Sequence, residues 1–236
     1  MRILTLLAEN RRADATGDTL ERRGMFTTGL VVKVENRVIC LSRSGRAHAG
    51  DKLTALLARR ASGLEKPLVM SDALAANQRD DDQTLIRCHC LAHGRRQFTD
   101  LEAVFPAEAR HVITVLDQVF AHEAVTHDRS MMPAERLVYH QTHSRPLLIG
   151  LHDWLGQQFQ NRLVAPNSSL GKAFTDLLTR WETLTQCLRR PGAPLDSNPV
   201  ERALKVSIRQ RKNSLFYASP HSAQVASILT SLIATC

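Results

Sequence analysis

The chain is 236 residues long, 43% hydrophobic and 23% charged, a globular balance that excludes a disordered polypeptide and leaves room for one large domain or two modest ones. No apolar run approaches the roughly 20 residues needed to cross a bilayer, and the apolar start Ile3-Leu4-Thr5-Leu6-Leu7, followed by Arg11-Arg12, reads as a strand and not as a signal peptide. A net charge of +8 favours polyanionic partners, nucleic acid first.

In chain order, the apolar run Arg2 to Leu7 predicts a first strand. Leu30 to Val34 and Val38 to Leu41 flank the polar turn Glu35-Asn36-Arg37, which is a hairpin pattern. A helix fits Asp51 to Ala61, with Leu53, Leu56 and Leu57 on one face. Pro67-Leu68-Val69-Met70 is a compact apolar strand that delivers Ser71 and Asp72 at its C-terminal end. Asn77 to Gln83 reads as a polar loop, with Asp80-Asp81-Asp82 a solvated acidic stretch, and Thr84 to Cys90 as a further strand. From His93 the helical period takes over. One apolar stripe is Val112, Ile113, Leu116, Val119 and Phe120. A second, starting just after Pro146, is Leu147, Leu148, Leu151, Trp154, Leu155 and Phe159. A third, with Ser168-Ser169 as N-caps, is Leu170, Ala173, Phe174, Leu177, Trp181, Leu184 and Leu188. Arg190-Pro191-Gly192-Ala193-Pro194 stops that helix, and a last helix opens at Ser219-Pro220. The predicted order is β, β, β, α, β, β and then helices. It resembles the ribonuclease-H-like topology, an α/β sheet that gathers acidic residues near one edge.

The stretch from Asp196 to Phe216 concentrates the chemistry. Glu201 falls in the first turn of a helix on which Arg202, Lys205, Arg209 and Lys212 recur at i, i+3, i+7 and i+10, one side of the cylinder. Leu204 and Ile208 fall on another side, with Val200 and Ala203 at its margin. An acid beside a basic helix face suits a protein that brings a metal ion to a phosphate backbone. Two plainer readings compete. Asn198 as N-cap with Pro199 first and Glu201 third in the helix makes a variant capping box, and a basic helix face is commonly a solvated surface. Cys88, Cys90 and His93 invite a zinc reading, since the strand period puts both thiols on one face, but a clear fourth ligand is missing. The five cysteines are odd in number and irregularly spaced, the pattern of reduced thiols in a cytoplasm. His48 is a loop histidine that suits a phosphate contact or an ordinary polar role equally.

Several segments in fixed order carry a resemblance. They are Gly45-Arg46-Ala47-His48-Ala49-Gly50, Pro67 to Leu74, Cys90-Leu91-Ala92-His93-Gly94-Arg95-Arg96-Gln97-Phe98, Pro166 to Ala173, Pro191 to Asp196, Glu201-Arg202-Ala203, Arg211-Lys212-Asn213 and Ser231-Leu232-Ile233. In this order the chain resembles the catalytic region of insertion sequence 66 family transposases of bacteria. The resemblance implies an α/β fold, a ribonuclease-H-like sheet over residues 1–92, a large all-helical insertion over 93–190 and C-terminal helices over 191–236 that complete the catalytic domain. It implies an Asp-Asp-Glu set in which Asp72 matches the second carboxylate and Glu201 the third. These would hold Mg²⁺ or Mn²⁺ for phosphodiester cleavage and strand transfer, since hard cations take oxygen ligands. Arg95, Arg96, Arg202, Lys205, Arg209, Arg211 and Lys212 are the expected DNA contacts. The implied partners are transposon ends and target DNA, with a homo-oligomer or an intact transposase beside them, in the cytoplasm and away from any membrane.

The departure is at the first acid. In the family an Asp-Asp-Thr segment directly precedes the strand that resembles Met1-Arg2-Ile3-Leu4, and this chain starts there; the upstream DNA-binding regions are absent too. Glu9, Asp14 and Asp18 are expected to lie beyond the strand, off the matching position. The chain therefore reads as a truncated transposase whose catalysis is disabled, or alternatively as a non-catalytic DNA-binding or dimerising remnant.

Overall fold

A computed structural model describes residues 2–9, 26–34, 37–45, 47–73, 84–214 and 219–235. Its elements follow the predicted order. The strands are β1 (Arg2–Glu9), β2 (Phe26–Val34), β3 (Arg37–Gly45), β4 (Leu68–Ser71) and β5 (Ile86–His89), with α1 (Ala49–Leu57) between β3 and β4. Then come α2 (Leu91–Leu101), α3 (Pro106–Asp128), α4 (Pro133–Gln160), α5 (Ser169–Thr179), the short α6 (Trp181–Leu184), α7 (Asn198–Ser214) and α8 (Pro220–Thr235). Two compact units result: Met1–Arg87 with Ser197–Cys236, and Cys88–Asp196. The helical insertion expected over 93–190 lies within the second.

In the first unit the five strands form one mixed sheet in the order β3-β2-β1-β4-β5. β2 runs antiparallel to both β1 and β3, while β1 and β4 are parallel, with Ile3 opposite Leu68 and Leu6 opposite Ser71. Side chains alternate along β2, so the sheet has two differently covered faces. Leu30 and Val32 pack with Val69 of β4 against Ala49, Leu53, Leu56 and Leu57 of α1. Val31 and its cross-strand partner Cys40 turn the other way and pack against Val200 and Ala203 of α7 and Ala234 of α8. Leu68, Val69, Met70 and Ser71 are all buried, as expected of a strand covered on both faces, and this explains the unbroken apolar run there. Gly29 lets α7 come close: a Cβ at that position would lie 2.6 Å from Cγ of Leu204.

β3 is an edge strand, whose outward N–H and C=O groups need partners. α8 supplies them with hydroxyls. Cys40, Ser42 and Ser44 donate their backbone N–H groups to Thr235 Oγ1 (3.0 Å), Ser231 Oγ (2.8 Å) and Ser227 Oγ (3.0 Å). Each hydroxyl in turn donates to the carbonyl four residues back in its own helix, at 2.7–2.8 Å. The match is geometric, because four residues of helix advance about 6 Å and two of strand about 6.6 Å.

The second unit is built on the three predicted stripes, but the third is not the single helix expected up to Arg190: it breaks after Thr179 into α6 and a 3-10 turn at Gln186–Leu188. Val112, Leu116 and Val119 of α3, Leu148, Leu151 and Leu155 of α4, and Leu170, Phe174 and Leu177 of α5 are all buried in one core with Leu91 and Phe98 of α2. Ser168 caps α5 as predicted, its hydroxyl accepting the Gly171 N–H at 2.9 Å. One element is longer than the pattern implied. α4 does not begin after Pro146 but runs through it from Pro133, although Pro146 has no N–H to give the Thr142 carbonyl.

What anchors the first half of α4 is a polar network. Arg136 donates to both oxygens of Glu123 on α3 (2.7 and 2.8 Å). His140 Nε2 lies 2.8 Å from Glu123 Oε2 and, since a carboxylate only accepts, carries the proton there. His140 Nδ1 is 2.9 Å from Ser144 Oγ, itself 3.1 Å from His122 Nδ1. Burial by itself would raise the Glu123 pKa, but the hydrogen bonds from His140 and Arg136 and their charges overcome it, bringing the carboxyl from 4.5 down to about 2.

Two expected outcomes follow from this packing. Ser231→Ala removes the acceptor of the Ser42 N–H and should lower stability by about 1 kcal/mol in urea denaturation, despite alanine's better helix propensity, whereas Ser231→Thr keeps the hydroxyl and most of the stability. Glu123 is a carboxyl with a depressed folded pKa, so its stabilisation is complete above 4.5 and fades as pH falls toward about 2. Glu123→Gln should therefore cost about 3 kcal/mol at pH 7, where it leaves Arg136 unbalanced, and progressively less between pH 4.5 and 2. Fluorescence of Trp154 and Trp181, the chain's two tryptophans and both in this unit, reads the difference.

Candidate functional site

Asp72 directly follows β4, one step past the last β1–β4 pair, Leu6 with Ser71. The next residue, Ala73, has φ 65°, a left-handed conformation that costs a residue with a Cβ on the order of 1 kcal/mol and turns the chain sharply. Alternation along β4 sets Val69 on the α1 side of the sheet and Met70 on the other. Asp72 is partly exposed at the end of an otherwise buried strand.

Glu201 stands in the first turn of α7, which packs on β1 and β2. The helix begins one residue earlier than the capping-box reading had it. The Ser197 carbonyl accepts the Glu201 N–H at 3.2 Å, the first helical bond, so Ser197 and not Asn198 is the N-cap and Glu201 is the fourth helical residue. The Ser197 hydroxyl donates to Glu201 Oε1 at 3.1 Å. That bond helps to orient the carboxylate. Val200 is fully buried, so it belongs to the core of this packing and not to its margin.

Along α7, Arg202, Lys205 and Arg209 are exposed, with Arg202 Nε 3.4 Å from the Asn198 carbonyl. The side chains of Arg211 and Lys212 lie outside the described ones. In the second unit, Arg96 is exposed on α2. Its neighbour Arg95 is engaged, with Nε and Nη2 donating to the two oxygens of Asp117 at 2.6 and 3.0 Å. This bidentate pair ties α2 to α3 and raises the Arg95 pKa further. A phosphate would have to compete with it.

The other candidates take ordinary positions. Cys88 and Cys90 are buried, and burial, with Cys187 adding, pushes the Cys88 thiol up to about 12. His48 is exposed and precedes α1, its carbonyl accepting the Lys52 N–H at 3.2 Å. Glu9 is the last residue of β1 and not part of a stretch beyond it, while Asp14, Asp18 and Asp80-Asp81-Asp82 lie outside the described residues. Among the described residues, no group of three or more His, Cys, Asp or Glu side chains is arranged to hold a metal ion. The Glu123–His140–Ser144 network escaped the sequence reading. Only the i, i+4 spacing of His140 and Ser144 hints at it, and their partner is on another helix.

Comparison with known proteins places these elements in a family. Residues 42–225, from β3 into α8, match the family described as Transposase IS66 family. The chain is similar to three proteins of Sinorhizobium fredii (strain NBRC 101917 / NGR234). It is 30% identical over 151 residues to Uncharacterized protein y4jD, which covers 61% of this chain and 28% of that protein. It is 27% identical over 160 residues to Uncharacterized protein y4hP (62% and 28%) and 28% identical over 166 residues to Uncharacterized protein y4qI (70% and 30%). The chain thus spans less than a third of the length of these curated relatives. No solved structure matches it. The family match includes both Asp72, just past β4, and the helix turn that carries Glu201, and the chain belongs to the IS66 transposase family.

Proposed function

We propose that this chain corresponds to the strand-cleavage and strand-transfer region of a cytoplasmic IS66 transposase that works on transposon ends and target DNA, and that the chain is itself inactive because its acidic set is incomplete. In this reading it is a ribonuclease-H-like α/β sheet with a helical insertion, and Asp72 and Glu201 are two carboxylates of an Asp-Asp-Glu set. The observation that carries the proposal is the sheet order β3-β2-β1-β4-β5, with β1 antiparallel to β2 and parallel to β4. It supports a site in which the end of β4 and the start of α7 meet on one side of the sheet. The two carboxylates would then lie with oxygens roughly 4–8 Å apart, the span of one hard-cation site.

The described residues do not by themselves fit a two-ion centre. Ile3, Leu4, Thr5 and Leu6, the β1 positions paired with β4, carry no acid, and no third ligand joins Asp72 and Glu201 among the described side chains. What the chain's own residues offer is hard oxygen donors at Asp72 and Glu201 and a cationic α7 face for the phosphate backbone. The acid-free stretch of β1 favours a second reading, a non-catalytic DNA-binding partner of an intact transposase.

The 236-residue chain is expected not to nick or join duplexes carrying its element's ends, with Mg²⁺ or Mn²⁺. Nicking that is lost in Asp72→Ala would overturn the second reading and assign the missing acid within the chain, with Glu9→Gln the next variant to test. DNA binding is expected in either case, with little sequence preference, since phosphate contacts carry no base information. Replacing Arg202, Lys205 and Arg209 with Ala should weaken binding to unrelated duplexes about equally and flatten the salt dependence by about one unit of slope for each cation removed. Arg95→Ala should act mainly on stability. Binding indifferent to salt and to the triple substitution would remove α7 as the DNA-facing surface.

A further inference from the structure

α8 uses one side for the sheet and leaves the other bare. Ser227, Ser231 and Thr235 are committed to the β3 edge, and Ala223, Ala226 and Thr230 are buried. On the opposite side Val225, Ile228, Leu229, Leu232 and Ile233 are exposed by 42, 60, 54, 57 and 67%. Their spacing of i, i+3, i+4, i+7 and i+8 makes one continuous apolar stripe. The helix cannot turn to hide it without breaking the three strand–hydroxyl bonds and exposing an unpaired sheet edge.

We propose that this stripe is a homodimer interface, in which α8 of one copy packs against α8 of a second about a two-fold axis. Three observations select this occupant. Residues 220–235 contain no Asp, Glu, Lys or Arg although the chain carries a net charge of +8, so two copies can approach there without opposing like charges. Five such side chains expose on the order of 500 Å² per copy, and a symmetric pair buries about 1,000 Å² in total, the lower bound for a specific interface. A single uniform stripe is self-complementary, as an isologous interface requires. The same lack of cations disfavours the alternatives: nucleic acid has no charge to meet, and an interfacial membrane helix carries Lys or Arg on its polar face, where α8 has hydroxyls already engaged by β3. The interface lies in the first unit and is independent of the catalytic reading.

Sedimentation velocity on the 236-residue chain without DNA, from about 1 to about 100 µM, should show a monomer–dimer equilibrium insensitive to added salt. Ile228→Glu with Leu232→Glu brings like charges together across the axis and should raise the dimer Kd by roughly a hundredfold, with the far-UV circular dichroism of the folded chain unchanged. If that variant does not fold, Leu229→Cys in a Cys236→Ser background should form a disulfide dimer under mild oxidation, while Val138→Cys, exposed on α4, should not. A monomer throughout the concentration range overturns the proposal. So does a dimer undisturbed by the two glutamates, open-ended aggregation, or a monomer that binds phosphatidylcholine vesicles through the stripe.

Discussion

The first unit depends on closing the edge of β3. A sheet edge left open presents a row of donors and acceptors to any passing strand, and natural proteins blunt it with charge, proline or a covering element. Here the cover is a helix, held by hydroxyls at every fourth position of α8 against every second residue of β3. Once α8 is laid along that edge, Ala234 joins Val31, Cys40 and Val200 in one cluster, and α7 is seated beside it on the same face. The close approach at Gly29 then fixes Leu204 against the sheet, and the start of α7, with Glu201, is carried with it. The carboxylate's position is a consequence of how the sheet is covered.

The two units are held by different physics. The sheet unit relies on backbone pairing, alternating faces and small residues where helix and strand approach. The helical unit has one continuous apolar core, and within it a nearly buried charge cluster at Glu123, Arg136 and His140. Such a cluster adds less net stability than its short distances imply, because desolvation consumes most of the attraction. Its physical effect is geometric: it holds α4 to α3 along a stretch where Pro146 interrupts the hydrogen-bond ladder.

Within the second unit, the availability of polar side chains also rests on the fold. Arg95 and Arg96 are adjacent in sequence and equal in charge, yet Asp117 on the next helix engages one and leaves the other exposed. Cys88 lies in β5, but Cys90 falls past the strand's end as the N-cap of α2, so the shared strand face that their spacing implied is not formed, and burial raises the Cys88 thiol. In both cases the neighbours, and not the residue type, set the environment of the side chain.

The sequence by itself determined the order of elements, the three apolar stripes of the helical unit, the cap at Ser168 and the family, because each is written in local spacing or in short motifs. Asp72 at a strand end and Glu201 in a first helical turn were legible for the same reason. It could not reveal the continuation of α4 through Pro146, the shift of the α7 cap to Ser197, Glu9 inside β1, or the hydroxyl ladder of α8. Helix propensity argues against the first of these, and the ladder joins residues more than 180 positions apart. Only the tertiary structure decided them, since a partner on another element changes which local conformation is lowest in free energy, and no periodicity within a segment records where that partner will be.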